Sequence, residues 1–263
     1  MSDPFPSGLH LDDPAPGVAR MRFDRPEALN ALTTASGAAM VEAYCDFATR
    51  PDLACLVMTG TGRAFSVGAD LKERNGLNDA ALRRQHMTHR LGLTIRQSFD
   101  FPVIAAVNGL AHGGGAELAL SADIVLAVPG ARFRLPEILR GIMPGMGGTQ
   151  YLTRAVGQRR ALEWLIEGTE ITAEEALAAG LVNRICSDET LQAEALEIAR
   201  RIAEAPPLAL RAITRAVRTG GSTDMGTGLA LELALHQRLM ASDDRREGIA
   251  AFVEGRPPRW TGG

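Results

Sequence analysis

The chain has 263 residues, and its 28 lysine and arginine residues against 31 aspartate and glutamate residues give a formal net charge of −3. Hydrophobic residues make up 46% of the chain and charged residues 22%, as in an average soluble globular protein. A pI near 6.0 with no basic stripe argues against nucleic acid as the main partner. A chain of this length buries enough surface to fold without a disulfide or a structural metal.

The cysteines, Cys45, Cys55 and Cys186, lie far apart and show no CxxC spacing. The sequence therefore predicts no zinc site and no disulfide framework, which is typical of a reducing compartment. The first ten residues have neither the basic nor the apolar region of a secretory signal. No apolar run reaches the roughly eighteen residues that a membrane-spanning helix needs. We expect a cytoplasmic protein with no membrane segment and no metal.

The predicted elements begin after residues 1–16, a segment rich in Pro and Asp that we expect to be irregular. Apolar alternation predicts a half-buried strand over Val18–Phe23. Thr33 and Thr34 are candidate N-caps for a helix over residues 33–49. Farther along, short apolar runs ended by glycine or asparagine alternate with helical segments. The predicted strands are residues 54–60, 102–107 and 124–128, and the predicted helices are residues 79–99 and a helix that begins within the glycines of 112–115.

From Gly148 onward the pattern is helical. The predicted helices are residues 149–156, 158–168, 172–179, 188–204, 207–218, 226–240 and 243–253. Strands that alternate with helices, followed by a run of helices, predict an α/β core with a helical C-terminal part. The junction is expected between residues 180 and 206.

The segment HGGG, residues 112–115, has three candidate functions. The oxyanion loop of a lipase-like hydrolase would need a G-x-S-x-G nucleophile elbow, and the sequence has none. Nucleotide binding would need G-x-G-x-x-G or G-x-x-x-x-G-K-[ST], and neither occurs. A helix N-terminus whose backbone N–H groups hold a developing negative charge fits the pattern, because glycine lets a ligand approach the backbone. A tight turn with no ligand explains the glycines equally well.

Two glutamates favour the helix N-terminus that holds a developing negative charge over the tight turn with no ligand. Glu117 follows Gly114 by about one helical turn, which would place a carboxylate beside the N–H groups. Glu137 lies between apolar residues in the segment LPEIL, where a carboxylate has few polar neighbours. Taken separately, each of the two is compatible with a purely structural role.

In their order along the chain, five segments resemble the enoyl-CoA hydratase/isomerase (crotonase) superfamily, most closely its enoyl-CoA hydratases. The segments are RPEALNAL (25–32), GRAFSVGADLKE (62–73), AAVNGLAHGGGAELALSADI (105–124), FRLPEILRGIMPGMGGTQYL (133–152) and ITAEEALAAGLVNRI (171–185). Residues 247–260 resemble the tail of the family. The resemblance implies an α/β fold with a spiral of ββα turns over residues 1–195 and a C-terminal helical oligomerisation region over residues 196–263. It also implies a homotrimer or a hexamer built as a dimer of trimers.

The same resemblance implies an acyl-CoA thioester as substrate and no separate cofactor, since coenzyme A is part of the substrate. By position, the backbone N–H groups of Ala69 and Gly114 would form the oxyanion hole for the thioester carbonyl. The implied substrate-binding residues are Arg25, Ala28, Leu29, Ala64, Ser66, Gly68, Asp70, Leu71, Lys72, Gly113, Pro136 and Gly145.

Hydratases of the family carry one glutamate just after the GGG and a second in the P-E of the next loop. Glu117 and Glu137 match both positions. The resemblance therefore implies addition of water to a 2-enoyl-CoA to give a 3-hydroxyacyl-CoA, with both carboxyl groups on the water. Neutral Glu137 would protonate Cα, and ionised Glu117 would help to deprotonate the water. The alternatives are a Δ3-Δ2 enoyl-CoA isomerase that uses mainly Glu137, and a catalytically idle, oligomeric acyl-CoA-binding scaffold.

A few positions leave their roles open. Lys72, the one lysine of the chain, faces either the coenzyme phosphates or solvent, and His112 lacks a serine partner and is expected to be structural. Arg134 stands where the family usually has a small residue, and it either reshapes the acyl pocket or pairs across a subunit contact. Arg256 or Arg259 would replace the lysines of the family's tail in contacting phosphate.

Overall fold

The computed structural model describes residues 7–263. Residues 1–6 lie outside the described part of the chain, and with them most of the segment examined for a secretory signal. The strands are β1 (Leu9–Ala15), β2 (Val18–Phe23), β3 (Cys55–Gly60), β4 (Ala64–Ser66), β5 (Val103–Val107), β6 (Leu110–His112), β7 (Ile124–Ala127), β8 (Arg132–Arg134), β9 (Glu170–Thr172) and β10 (Arg184–Ile185).

The α-helices of the described residues are α1 (Thr34–Thr49), α2 (Leu71–Asn75), α3 (Asp79–Gln97), α4 (Gly114–Leu120), α5 (Gly148–Val156), α6 (Gln158–Glu167), α7 (Ala173–Ala178), α8 (Leu191–Ala203), α9 (Pro207–Arg215), α10 (Met225–Met240) and α11 (Asp243–Glu254). A short 3-10 helix covers Glu137–Arg140, and a π-helical turn, Ala216–Gly220, follows α9.

The strands of the described residues are divided between two sheets. The large sheet has the order β1-β2-β3-β5-β7-β10, and the small sheet has the order β4-β6-β8-β9. Within the described residues, pairing is parallel except between β1 and β2 and between β8 and β9. Each successive turn of the chain thus adds one strand to the large sheet and the next strand to the small sheet before a helix. This is the predicted spiral of ββα turns.

The central strands of the large sheet are apolar on both faces. Every residue of β3 and of β5 is buried, which explains why these strands read as continuous apolar runs rather than as alternating ones. The predicted strands at residues 18–23, 54–60, 102–107 and 124–128 are confirmed to within two residues.

The expectation of an irregular lead-in is wrong from residue 9 onward. Leu9–Ala15 forms β1, which pairs antiparallel with β2 and buries Leu9 against the core. The strand contains a proline, but it lies at the sheet edge, where a missing N–H is tolerated. Residues 61–70, where no strand or helix was predicted, contain β4. A strand of three residues is too short to show a periodic pattern.

Helix α8 packs on the large sheet and carries the chain across the predicted division at residue 195. Its Leu191, Ala195 and Ala199 are part of the buried core. The helices after it present large apolar side chains to solvent, including Ile213, Leu229 and Phe252. The division into residues 1–195 and 196–263 stays a prediction. No helix of the described residues is long and apolar enough to cross a membrane.

Asn30 joins the chain after β2 to the small sheet. Its backbone is left-handed, with φ 58°, and its side chain is only 2% exposed. The side-chain N–H₂ donates to the carbonyl of Ala64 at 2.7 Å and to that of Thr61 at 3.0 Å. Its Oδ1 accepts from the backbone N–H of Arg25 at 2.8 Å. Asn30 therefore fixes the path of the chain that leads to the cleft described below.

We expect Asn30→Ala to lower the free energy of unfolding by about 3 kcal/mol, because one buried and two partly buried hydrogen bonds lose their partner. Urea unfolding followed by circular dichroism measures this change. Asn75→Ala, at the exposed end of α2, is the matched control, and we expect it to change stability by less than about 0.5 kcal/mol. If Asn30→Ala lowered the free energy of unfolding as little as the control does, the result would contradict this role of the Asn30 side chain.

Candidate active site

A cleft of about 1110 Å³ opens between the start of α4, the 3-10 helix and α2. Its walls include the four residues that the resemblance implies for catalysis, Ala69, Gly114, Glu117 and Glu137. They come from three successive turns of the spiral. The fold therefore brings together positions that are up to 68 residues apart in the sequence, from 69 to 137.

Two backbone segments cross in close contact at the centre of the cleft. A methyl group placed on Gly68 would lie 2.6 Å from the backbone nitrogen of Gly114 and 2.8 Å from the carbonyl oxygen of His112. Gly68 also has φ +78°, a conformation that favours glycine. A methyl group on Gly115 would lie 2.0 Å from the carbonyl oxygen of Ser66. Only glycine lets these segments approach so closely.

The crossing aims two backbone N–H groups toward the cleft. The Gly68 carbonyl accepts from Leu32, and the Asp70 N–H donates to Leu32. Because the C=O and N–H of one planar trans peptide group point in opposite directions, the Ala69 N–H faces away from Leu32. Gly114 is the first residue of α4, and its N–H has no acceptor within the helix. Both residues line the cleft, so it offers two adjacent donors near a helix N-terminus.

Glu117 is held by the start of α5. The carboxylate is 3% exposed, and its Oε1 accepts from the backbone N–H groups of Met146 at 2.7 Å and Gly148 at 2.8 Å. Burial raises the pKa of Glu117 to about 7, although these N–H groups act in the opposite direction and the nearby charge of Glu137 adds to the rise. Glu117 is thus a carboxyl group that titrates near neutral pH.

Glu137 begins the 3-10 helix directly after Pro136 and is 9% exposed. Its Oε2 is buried and has no hydrogen-bond partner among the described residues. Burial raises its pKa, and the positive charges of Arg140 and Arg74 offset part of the rise. Oε1 lies 3.1 Å from the position that a Cβ would take on Gly113, which has φ +52°. A side chain at 113 would crowd this carboxylate.

The predicted substrate-binding residues divide into two groups. Those that line the cleft are Arg25, Ala28, Asp70, Leu71, Lys72, Gly113, Pro136 and Gly145. Those that do not line it are Leu29, Ala64, Ser66 and Gly68. Ala64 and Ser66 are buried in β4, and the Ser66 hydroxyl donates to the Asn30 carbonyl at 2.8 Å and accepts from the Gly68 N–H at 3.2 Å. These contacts support the Gly68 turn from behind.

The charged side chains that line the cleft near Ala69 are partly paired with one another. Arg25 donates through Nη1 to the Ala31 carbonyl at 2.9 Å and to Asp70 at 3.2 Å. Asp70 also caps α2 by accepting from the N–H groups of Lys72 and Glu73. Lys72 lines the cleft, and its proposed contact with phosphate stays a prediction.

Histidines contribute to the cleft in ways that the sequence did not indicate. His86, His89 and His112 all line it. Burial lowers the pKa of His89 to about 4, so that this side chain is neutral near pH 7. His112 Nε2 lies 3.6 Å from Glu170. Across the described residues, no group of His, Cys, Asp and Glu side chains has the arrangement of a metal site.

Arg90 of α3 and Met146 of the loop before α5 also line the cleft, and sequence analysis missed both. Arg90 donates to the Gly145 carbonyl at 3.1 Å, and the methyl carbon of Met146 lies 3.0 Å from the position that a Cβ would take on Gly114. The segment GMGG held a signal for this loop, since glycines on both sides of one methionine are unusual in a helix. Nothing in the sequence indicates that Arg90 faces the same cleft.

Two arginines that the sequence analysis singled out, Arg134 and Arg256, bond to other groups of the protein. Arg134 lines the cleft and donates through Nε to the Gly168 carbonyl at 2.7 Å. Arg256 pairs with Glu247 and Glu254 on α11 and is not among the residues that line the cleft. The proposed roles of Arg134 and of the tail arginines toward substrate stay predictions.

The chain matches the family model described as enoyl-CoA hydratase/isomerase over residues 14–263. The chain belongs to the enoyl-CoA hydratase/isomerase family. A 2,3-dehydroadipyl-CoA hydratase of Escherichia coli is 42% identical over 93% of this chain and 95% of its own length. A mitochondrial enoyl-CoA hydratase of Pongo abelii is 40% identical over 91% of this chain and 82% of its own length.

Solved structures agree with this membership. A crystal structure of an enoyl-CoA hydratase from Bacillus anthracis superposes with a TM-score of 0.94 at 35% sequence identity, covering 97% of this chain and all of that one. The crotonase fold predicted from the five sequence segments is confirmed.

The buried carboxyl of Glu117 gives a prediction about stability. The pKa of Glu117 in the folded protein is about 7, above its ordinary value of 4.5. The free energy of unfolding therefore decreases as the pH rises from 4.5 through 7, because the buried carboxyl group has to ionise. We expect Glu117→Gln to raise Tm relative to the wild type by about 5 °C at pH 8 and by much less at pH 5. Differential scanning calorimetry at the two pH values measures this.

Glu163→Gln on the exposed surface of α6 is the matched control, because its side chain stays in water in the folded protein. Its effect on Tm should be small at both pH values. A stability gain for Glu117→Gln that is the same at pH 5 and pH 8 would contradict the raised pKa.

Proposed function

We propose that this protein is an enoyl-CoA hydratase that adds water to a 2-enoyl-CoA and gives a 3-hydroxyacyl-CoA. The observation that carries the proposal is the meeting of two buried carboxyl groups, Glu117 and Glu137, beside two backbone N–H groups in one cleft. The relatives named as hydratases at about 40% identity support the same reaction. In this proposal coenzyme A belongs to the substrate and no other cofactor takes part.

The N–H groups of Ala69 and Gly114 would hold the thioester oxygen. As water adds to the β carbon, negative charge moves onto this oxygen in an enolate-like transition state. Donors that are already in place stabilise that charge without reorganisation, and one such donor is typically worth about 2.7–4 kcal/mol. This role uses backbone groups only, which explains why the crossing segments are rich in glycine.

The two glutamates would share the water and its protons. Glu117 accepts two backbone N–H groups on Oε1, and such bonds favour the ionised form. Glu137 has a buried Oε2 with no protein partner among the described residues, which favours the protonated form. In the proposed reaction, ionised Glu117 takes a proton from the attacking water, while neutral Glu137 gives its proton to Cα.

The acyl-CoA would enter with its coenzyme against the wall formed by Arg25, Ala28 and Lys72. We propose that the chain assembles as a homotrimer or as a dimer of trimers, through the helices that follow α8. The exposed apolar side chains of those helices support this assembly. A cytoplasmic location stays part of the proposal.

A Δ3-Δ2 enoyl-CoA isomerase is the second candidate function. It is favoured by one observation, the unpartnered Oε2 of Glu137, because a single carboxyl group can carry a proton between two carbons of the acyl chain. Loss of Glu117 would then leave much of the activity.

Ultraviolet absorbance of crotonyl-CoA tests the proposal, because the conjugated thioester absorbs and its hydrated product does not. We expect rapid loss of absorbance with the wild type, and a decrease in kcat of at least about 100-fold for Glu117→Gln and for Glu137→Gln. Glu163→Gln is the control and should keep wild-type kcat. No loss of absorbance with enoyl-CoAs of any length would overturn the proposal. If the Glu117→Gln variant kept its activity on a 3-enoyl-CoA, that result would favour the isomerase.

The pH dependence of kcat/KM follows from the carboxyl pair, which titrates as a unit. The active form carries one proton, so activity falls at low pH, where both groups are protonated, and at high pH, where both are ionised. Burial raises the pKa of both groups, and that of Glu117 is about 7. We therefore expect a bell-shaped profile for crotonyl-CoA, with both limbs displaced to higher pH than two ordinary carboxyl groups would give. A flat profile from pH 5 to pH 9 would contradict this pairing.

A further inference from the structure

The side chain of Met146 lies at the inner end of the cleft. Its backbone N–H donates to Oε1 of Glu117 at 2.7 Å. Its methyl carbon lies 3.0 Å from the position that a Cβ would take on Gly114, and the residue is only 7% exposed while lining the cleft. One residue therefore contacts both the proposed oxyanion donor and the proposed base.

The backbone around Met146 has little room to move. Arg90 donates to the Gly145 carbonyl at 3.1 Å, and the ring of His86 lies 2.5 Å from the position that a Cβ would take on Gly145. Gly147 has φ +100°, and the ring of Tyr151 occupies the space where its Cβ would be, at 2.6 Å. A substrate that needs more room at this end can obtain it by rotating the Met146 side chain, without moving this crowded backbone.

The direction of the substrate follows from the charges of the walls. Arg25, Asp70 and Lys72 lie on the side of Ala69 where a charged coenzyme can be solvated and paired. Glu117, which would act at the β carbon, accepts a hydrogen bond from the Met146 backbone N–H. Acyl carbons beyond the β carbon therefore begin beside Met146.

We infer that Met146 determines acyl-chain specificity by closing the acyl end of the cleft, so that short, unbranched 2-enoyl-CoAs are preferred. This inference rests on the proposed hydratase function. A methionine side chain has three rotatable bonds and adapts its shape, so longer chains are disfavoured in a graded way rather than excluded. The side chain would touch the substrate, whereas its backbone N–H positions Glu117.

Substitutions at 146 separate these two roles, because any residue except proline keeps the N–H. Met146→Ala removes the atoms next to Gly114, and Met146→Leu keeps most of the volume. The measurement is kcat/KM for crotonyl-CoA, with four acyl carbons, and for trans-2-octenoyl-CoA, with eight. We expect Met146→Ala to raise the octenoyl-to-crotonyl ratio by about 10-fold or more, and Met146→Leu to stay within about 3-fold of the wild-type ratio.

Met143→Ala is the matched control, since Met143 belongs to the same loop but is 67% exposed at the rim of the cleft. We expect it to change the octenoyl-to-crotonyl ratio by less than about 2-fold. A ratio that Met146→Ala leaves unchanged, or that Met143→Ala raises as much, would overturn the inference. An equal loss on both substrates for Met146→Ala would also overturn it and would leave Met146 as a positioning residue alone.

Binding of saturated acyl-CoAs separates a failure of this inference from a failure of the proposed function. Calorimetric Kd values for butyryl-CoA and octanoyl-CoA need no turnover. A shift of about 10-fold toward octanoyl-CoA in Met146→Ala, in a protein that hydrates no enoyl-CoA, would support the inference and refute the hydratase. Turnover of crotonyl-CoA together with unchanged ratios in both assays would refute the inference and support the hydratase.

Discussion

The close crossing of two backbone segments, at Gly68 and at the start of α4, is the constraint on which the rest of the cleft depends. A methyl group on Gly68 or on Gly115 would meet backbone atoms of the other segment at 2.0–2.8 Å. Because these neighbours are backbone atoms, they cannot rotate away as a side chain could. The glycines therefore do more than allow a turn. They set the separation of Ala69 and Gly114.

The second organising contact is the capture of Glu117 by the N-terminus of α5. Burying a carboxyl group is costly unless hydrogen bonds compensate for the lost water. Met146 and Gly148 supply two such bonds to the same oxygen, Oε1. Glu137 is buried without an equivalent pair of donors. The two carboxyl groups thus have different surroundings, and different surroundings shift the pKa values of identical side chains by different amounts.

Much of the fold was predictable because the strands of the large sheet are long enough to show a pattern. β3 and β5 are continuous apolar runs, and α1 carries a recognisable cap at Thr33. The small sheet was missed because β4, β6, β8 and β9 have three residues each, too few to show a periodic pattern. β1 was missed because its proline and two aspartates read as a loop, although an edge strand tolerates them.

The candidate site was predictable where backbone geometry demands a particular residue, and unpredictable where it does not. Gly114 and Glu117 stand one turn apart on a helix, so their proximity follows from local structure. Glu137 stood out by its apolar neighbours, but its pairing with Glu117 came only through a resemblance, because their distance depends on how the turns of the spiral stack. Arg90 and Met146 reach the cleft from α3 and from the loop before α5, and no local pattern specifies such contacts.

The successive stacking of turns also fixes an order of events during synthesis. The chain emerges from the ribosome beginning at its N-terminus, and Ala69, Gly114 and Glu117 emerge before the loop that holds Glu117. Until Met146 and Gly148 are available, that carboxyl group has no backbone donors and must stay hydrated. The cleft can therefore close only after more than half of the chain has been made, and a nascent chain that ends before α5 has strands of both sheets but an unfinished cleft.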